Sequence, residues 1–143
     1  MVFMNNKTQI SFIIPAYNAE DTIESCVNSI LNIKRKDLEV VVIDDGSTDF
    51  TFKICEQIEE RVRVIRKRNG GVSTARNTGI IESTGKFIIF CDADDQIETK
   101  EMEQILSDIN DSDELIMFQV RRVVNGVAKS EKSGISTGIY GKE

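Results

Sequence analysis

Short apolar runs alternate with segments whose apolar residues recur every three or four positions. Ile10–Ile14 is the first run, ended by Pro15, the only proline. Residues 19–32 then carry Ile23, Val27, Ile30 and Leu31 on one helical face. Asn18, with Asp21 three positions on, resembles a capping arrangement at that helix's start. Leu38–Ile43 reads as a buried strand. A helix over roughly 49–60 follows, with Phe52, Cys55 and Ile58 inward. Val62–Ile65 is a short strand, Asn69-Gly70-Gly71 a loop, and 72–83 a third helix stopped by Gly85. Lys86–Cys91 is another strand, and a fourth helix over 99–110 places Met102, Ile105, Leu106 and Ile109 on one face. Leu115–Val120 is the last predicted strand, and Asn125-Gly126 has the form of a two-residue hairpin turn. Beyond Ser130 the chain is polar. The pattern therefore predicts one domain over 1–130 and a poorly ordered tail over 131–143.

Strands that alternate with helices imply right-handed βαβ units. The predicted class is α/β: a mainly parallel sheet of four or five strands with helices on both faces. Ligands bind such sheets outside the carboxyl ends of the strands. Three polar clusters fall there: Pro15-Ala16-Tyr17-Asn18, Asp44-Asp45, and Asp92-Ala93-Asp94-Asp95. Tyr17, Asp45 and Asp94 are thus expected at one sheet edge.

Composition narrows the ligand. The 143 residues are 40% apolar and 29% charged, an ordinary globular balance. A net charge of −6 argues against nucleic acid, which would call for a basic face. An anionic ligand would need local help from a metal ion, a helix N-terminus or placed arginines. The three cysteines form no C-x-x-C pair, so neither a disulfide framework nor a zinc site is indicated, and a reducing compartment is the simplest reading. There is no histidine to serve as base or ligand. Met1–Gln9 is too polar for a signal peptide, and no apolar run is long enough to span a membrane.

Asp92 and Asp94 stand two apart at a strand end, so both carboxylates can face one ion. Close anions repel unless a cation compensates, and hard oxygen donors suit Mg²⁺ or Mn²⁺. A solvated acidic turn is the plainer alternative. Asp44 and Asp45 fit either a helix-capping turn, with Ser47 or Thr48 as the cap, or an acceptor for a base or ribose. Gly70-Gly71 opens a helix bearing Arg76, which suits close approach of an anion or is simply a loop with a surface arginine. It is not the G-x-G-x-x-G of dinucleotide sites. Tyr17 can stack on a base or be a half-buried edge aromatic. The basic run Arg61–Arg68 reads as a strand with its polar side chains in solvent, and the cysteines as core fillers.

Four blocks then stand together: Ser11-Phe-Ile-Ile-Pro-Ala-Tyr-Asn18, Val42-Ile-Asp-Asp-Gly-Ser-Thr-Asp49, Gly70-Gly-Val-Ser-Thr-Ala-Arg-Asn-Thr-Gly79 and Phe90-Cys-Asp-Ala-Asp-Asp95. In order and spacing they resemble the successive blocks of family 2 glycosyltransferases, over about residues 9–120. The resemblance implies a Rossmann-like GT-A fold. It also implies inverting, metal-dependent transfer from a nucleoside-diphosphate sugar, most often a UDP-sugar, to a glycan or lipid-linked acceptor. Donor contacts would come from Pro15, Ala16, Tyr17, Asn18, Asp44, Asp45, Gly71, Arg76, Asp92 and Ala93. In the family, the positions of Pro15–Tyr17 and Asp45 hold the nucleobase, and that of Asp92 lies near the ribose and sugar. That of Asp94 ligates Mn²⁺ or Mg²⁺, with Asp92 a possible second ligand. A cytoplasmic site, at most peripheral to the inner face of the membrane, goes with this reading.

The departures carry expectations of their own. The family's acceptor contacts and catalytic base lie further along the chain, so the base is expected beyond Glu143. These residues would then bind donor but transfer negligibly, with a homodimerising apolar face near Leu115–Val124. The family's proline after the acidic cluster is absent; Ile97–Lys100 stands there. A non-catalytic nucleotide-sugar-binding module shares every donor residue. A response-regulator receiver would need its aspartate pair after the first strand, and a haloacid-type phosphatase its D-x-D there; Pro-Ala-Tyr-Asn occupies that place.

Overall fold

The computed structural model describes residues 9–109, 115–117, 122–124, 127–129 and 138–140. The elements run β1 (Ile10–Ala16), α1 (Ile23–Leu31), β2 (Leu38–Asp44), α2 (Thr51–Ile58), β3 (Val62–Arg66), α3 (Val72–Glu82), β4 (Phe87–Phe90) and α4 (Thr99–Asp108). Four short strands follow: β5 (Leu115–Met117), β6 (Arg122–Val124), β7 (Val127–Lys129) and β8 (Gly138–Tyr140).

The main sheet has four strands in the order β3-β2-β1-β4, all parallel. Every residue of β1 is buried, and β2 is nearly so. That is the signature of strands covered on both faces. Right-handed crossovers put α1 and α2 on one face and α3 on the other. The α1 face contributes Ile23, Cys26, Val27 and Ile30 to the core. On the other side Ala75 of α3 packs with Ile13, Val41 and Ile43.

Pro15 does not end β1, as its sequence position suggested; the strand runs on to Ala16. The ladder explains why. Ile13 O accepts from Cys91 N on the β4 side, whereas Ala16 O accepts from Asp45 N on the β2 side. Odd-numbered residues therefore turn their backbone groups toward β4, and the β1–β4 pairing stops at Ile13↔Phe90. The proline's missing N–H falls where no ladder bond is made.

Other boundaries differ for local reasons. Helix α1 starts at Ile23, not residue 19, and no side chain caps it. Asn18 is engaged elsewhere, as described below. Neither Ser47 nor Thr48 caps α2; Asp49 Oδ1 accepts from Thr51 N at 3.0 Å instead. Among the described residues the parallel sheet has four strands, and β5 pairs antiparallel with β8. The chain groups into two compact units, Met1–Gln104 and Ile105–Glu143. Gly138–Tyr140 is a strand. The predicted hairpin is present as a β6–β7 ladder closing at Val124↔Val127; Asn125 and Gly126 lie outside the described residues. So do the side chains of Leu115–Val124, where a dimerising face was expected.

All three cysteines are buried thiols, as core filling predicts. Cys26 Sγ lies 3.7 Å from Cys91 Sγ. Burial pushes the Cys55 thiol up to about 12.

Helix α3 has no apolar stripe and leaves Ile80 and Ile81 exposed. It approaches the sheet through small residues. A Cβ on Gly79 would sit 2.2 Å from Ile13 Cγ2, inside the core. Gly79→Ala is therefore expected to cost about 1–3 kcal/mol despite alanine's better helix propensity. Urea denaturation measures it; an unchanged or raised midpoint would mean that α3 does not need this close approach.

Candidate functional site

The parallel register brings three loops to one end of the sheet. Ala16 lies beside Asp44, and Ile13 beside Phe90, so the segments after β1, β2 and β4 leave together. The chain runs outward from β1 through β2 to β3, then returns to place β4 on the other side of β1. Beyond the carboxyl ends of β1 and β4 lies the point where strand order reverses, the usual ligand crevice of such sheets.

A cleft of about 580 Å³ opens there. That is within the range of small-molecule sites. Its walls are Pro15, Tyr17, Asn18, Ala19, Asp21 and Thr22 from the segment after β1, Val72 and Arg76 from α3, and Asp92, Ala93 and Asp94 after β4. Tyr17 is 52% exposed at the cleft. The candidates Pro15, Tyr17, Asn18, Arg76, Asp92, Ala93 and Asp94 are thus brought together.

Ala16, Asp44, Asp45 and Gly71 do not line this cleft. Asp45 is buried behind it, and its carboxylate is fully occupied. Lys67 Nζ donates to Oδ1, Gly71 N to Oδ2 at 2.7 Å, and Gly70 N to both oxygens at 3.0 and 3.2 Å. Gly71 holds φ +89 as the residue before α3, a conformation that glycine tolerates. One carboxylate therefore ties β2 to the loop that opens α3. Burial pushes the Asp45 carboxyl up, but the Lys67 ammonium and the two glycine amides outweigh it and hold the group below the usual range.

This has a pH consequence. A depressed carboxyl lends stability that is complete above its unfolded value, about pH 4, and lost as pH falls through the lowered folded value. The urea midpoint is expected to drop between about pH 6 and about pH 3, and Asp45→Asn to flatten part of that drop. Identical slopes in both proteins would show that Asp45 titrates no differently in the folded chain.

Asp44 is completely buried. Arg66 Nε stands 3.2 Å from its Oδ2, an ionic contact without hydrogen-bond geometry, and Ser47 N donates to Oδ1 at 3.3 Å. Arg66 also donates to Ser47 O at 2.7 Å and stacks on Phe52 at 5.1 Å. Arg61, Arg63, Arg66 and Arg68 of the basic run are exposed, as its alternation suggested, and Arg63, Arg66 and Lys67 are paired as well. Arg63 pairs with Glu39 and Glu82, Arg66 with Asp44, and Lys67 with Asp45. Sequence reading missed Lys67; its signal was two glycines just past a strand that ends beside an aspartate.

The acidic cluster is asymmetric. Asp92 Oδ1 accepts from Arg76 at 2.7 Å, and Arg76 lies 5.7 Å from the Phe90 ring centre. Asp94 is exposed and has no hydrogen bond or ion pair to its carboxylate among the described residues. Burial, then the charges of Asp94 and Asp92, push the Asp95 carboxyl up. Local negative charge thus exceeds what Arg76 neutralises. Among the described residues no group of three or more His, Cys, Asp or Glu side chains could hold a metal ion by itself. One or two carboxylates completed by ligand phosphate oxygens would be the Mg²⁺-like arrangement.

Known proteins resemble this chain in sequence and fold. The profile of the family described as glycosyl transferase family 2 matches residues 11–141. Glycosyltransferase GlyA of Streptococcus pneumoniae is 38% identical over 104 residues, covering 71% of this chain and 15% of that protein. The crystal structure of Staphylococcus aureus TarS 1–349 in complex with UDP-GlcNAc aligns with a TM-score of 0.65 and 32% identity, over 69% of this chain and 30% of that one. The mannosyltransferase PcManGT of Pyrobaculum calidifontis, solved with GDP-Man and Mn²⁺, aligns with a TM-score of 0.60 and 28% identity, over 65% and 29%. The chain spans less than a third of each of these three proteins. With a profile match over most of its length and relatives alike in both sequence and fold, the chain belongs to glycosyl transferase family 2 and has the GT-A fold.

Proposed function

We propose that the cleft binds the donor of an inverting glycosyltransferase. The donor would be a nucleoside-diphosphate sugar, in the first instance a UDP-sugar, and the acceptor a glycan or lipid-linked glycan. The observation that carries this reading is the cleft at the strand-order reversal, where an exposed aromatic, an arginine and three aspartates face one space. Similarity to TarS, solved with UDP-GlcNAc, and to PcManGT, solved with GDP-Man and Mn²⁺, supports it.

Tyr17 offers its face to the nucleobase beside Pro15 and Asn18. Asp45 serves this wall from behind, by fixing the Gly70–Gly71 loop. Arg76 lies where a diphosphate would pass and balances Asp92, which lies toward the ribose and sugar. Asp94, with its carboxylate unspent, is the residue to hold Mn²⁺ or Mg²⁺, with Asp92 as a second ligand. Bound there with the donor diphosphate, the ion would offset the charge that grows on the departing nucleotide. Acceptor binding and the catalytic base are assigned to no described residue. Among the described residues no helix is long and apolar enough to cross a membrane.

The direct test is calorimetric titration of the chain with UDP in Mn²⁺, then in EDTA. Binding that weakens strongly in EDTA is expected. Equal affinity in both would remove the metal from the reading, and no binding in either would remove the donor.

A further inference from the structure

The turn after β1 is stitched to the turn after β2. Three successive amides of the first turn donate to side chains of the second: Asn18 N to Ser47 Oγ at 3.0 Å, Ala19 N to Thr51 Oγ1 at 2.7 Å, and Glu20 N to Asp49 Oδ2 at 3.1 Å. The second turn is held in return. Thr48 N donates to Asn18 Oδ1 at 2.8 Å, and Phe50 N to Glu20 Oε2 at 2.9 Å. The acceptors are themselves fixed, because Asp49 Oδ1 takes both the amide and the hydroxyl of Thr51, at 3.0 and 2.6 Å. Ser47 and Thr51 are almost wholly buried. Water therefore cannot readily replace them as partners.

The stitch imposes a conformation. Asn18 sits at φ +49, the only positive φ outside glycine among the described residues. Few side-chain-bearing residues adopt that region unless their surroundings demand it. The residue just before it is Tyr17, whose exposed ring stands at the cleft. The direction of the chain through Asn18 thus sets where that ring points.

We propose that Ser47, Asp49 and Thr51 are positioning residues of the donor site: none of them lines the cleft, and through residues 18–20 they fix how Tyr17 is presented to a nucleobase. The inference rests on the donor reading above and adds residues to it that no ligand touches. It also gives the Asp-Gly-Ser-Thr-Asp turn a purpose other than capping α2.

The test uses the chain itself and two substitutions that differ in kind. Thr51→Val keeps the shape and removes the hydroxyl; Thr51→Ser keeps the hydroxyl. Ser47→Ala is an independent second lesion, should Thr51→Val fold poorly by melting temperature. UDP binding is read by calorimetry, uridine binding by ligand-observed NMR, and backbone mobility by amide hydrogen exchange at residues 17–20. Thr51→Val and Ser47→Ala are each expected to weaken UDP and uridine by the same factor, about tenfold, because a backbone amide of the Tyr17 turn loses its acceptor on the nucleoside side of the cleft. Exchange at residues 17–20 should quicken in both variants, and Thr51→Ser should behave like the wild type. Folded variants that bind with wild-type affinity, or that lose UDP but not uridine, would overturn the proposal, as would unchanged exchange. Failure of the wild type to bind either ligand would overturn the donor reading and the nucleobase with it. Faster exchange in the variants would then show that the stitch itself had not failed.

Discussion

Asp94→Asn is expected to weaken UDP binding in Mn²⁺ about a hundredfold and to leave the residual binding indifferent to EDTA. The size follows from what the carboxylate is asked to do. UDP brings a diphosphate to a protein of net charge −6, into a cleft that already holds Asp92 and Asp94. Arg76 is matched to Asp92 at 2.7 Å, so it cannot also neutralise the incoming anion in full. A divalent ion between Asp94 and the phosphates converts that repulsion into attraction. Asparagine keeps the shape and an oxygen but removes the charge. Asp92→Asn should cost less, because it frees Arg76 for the phosphates. Calorimetry across the four combinations of protein and metal decides the matter. An Asp94→Asn protein that binds UDP as tightly as the wild type in Mn²⁺ would sink the assignment.

The second large effect concerns stability. Asp45→Ala is expected to cost about 3 kcal/mol, read as a lowered urea midpoint with an unchanged slope. The Asp45 side chain is 4% exposed and that of Lys67 21%, so the ammonium left behind keeps only partial access to water. Two backbone amides lose their acceptor in the same step. An unfilled buried donor costs more than the hydrogen bond itself contributed. Asp45→Asn, which keeps one acceptor, should lose roughly half as much. A midpoint unmoved by alanine would mean that the Gly70–Gly71 loop is held by something else.

Much of the fold was legible because both faces of its central strands are covered. Ile10–Ile14 and Leu38–Ile43 are runs that only a strand buried on two sides would carry, and their alternation with helical spacing gave a parallel sheet. Tyr17 near Asp94 followed from where the polar residues stood; the reversal of strand order came only with the structure. Side-chain partners were another matter. Ser47 and Thr48 carry the chemistry of a helix cap, and nothing local says that Asn18 would claim them from across the sheet edge. Asp45 reads as a ligand contact because strand-end aspartates often are; its bonds to Lys67 and to the Gly70 and Gly71 amides were not legible, because the basic run disguised Lys67 as a solvent-facing residue. The pairing of Leu115–Met117 with Gly138–Tyr140 was hidden for a similar reason, since a three-residue strand is too short to show a period of two.

The place of β1 between β2 and β4 has a consequence for the order of folding. Residues 10–13 are among the first synthesised of the sheet, yet they gain their second neighbour only when residues 87–90 exist. The β1–β2–β3 portion can zip up over shorter loops, whereas docking of β4 must close the longest one. The two walls of the cleft lie on either side of that last seam, Pro15–Thr22 on one and Asp92–Asp94 on the other. A chain with β4 undocked would keep much of its helix and sheet and have no cleft at all. A nucleotide that spans the seam would therefore act as a latch on the final step, favouring only the completed chain by mass action.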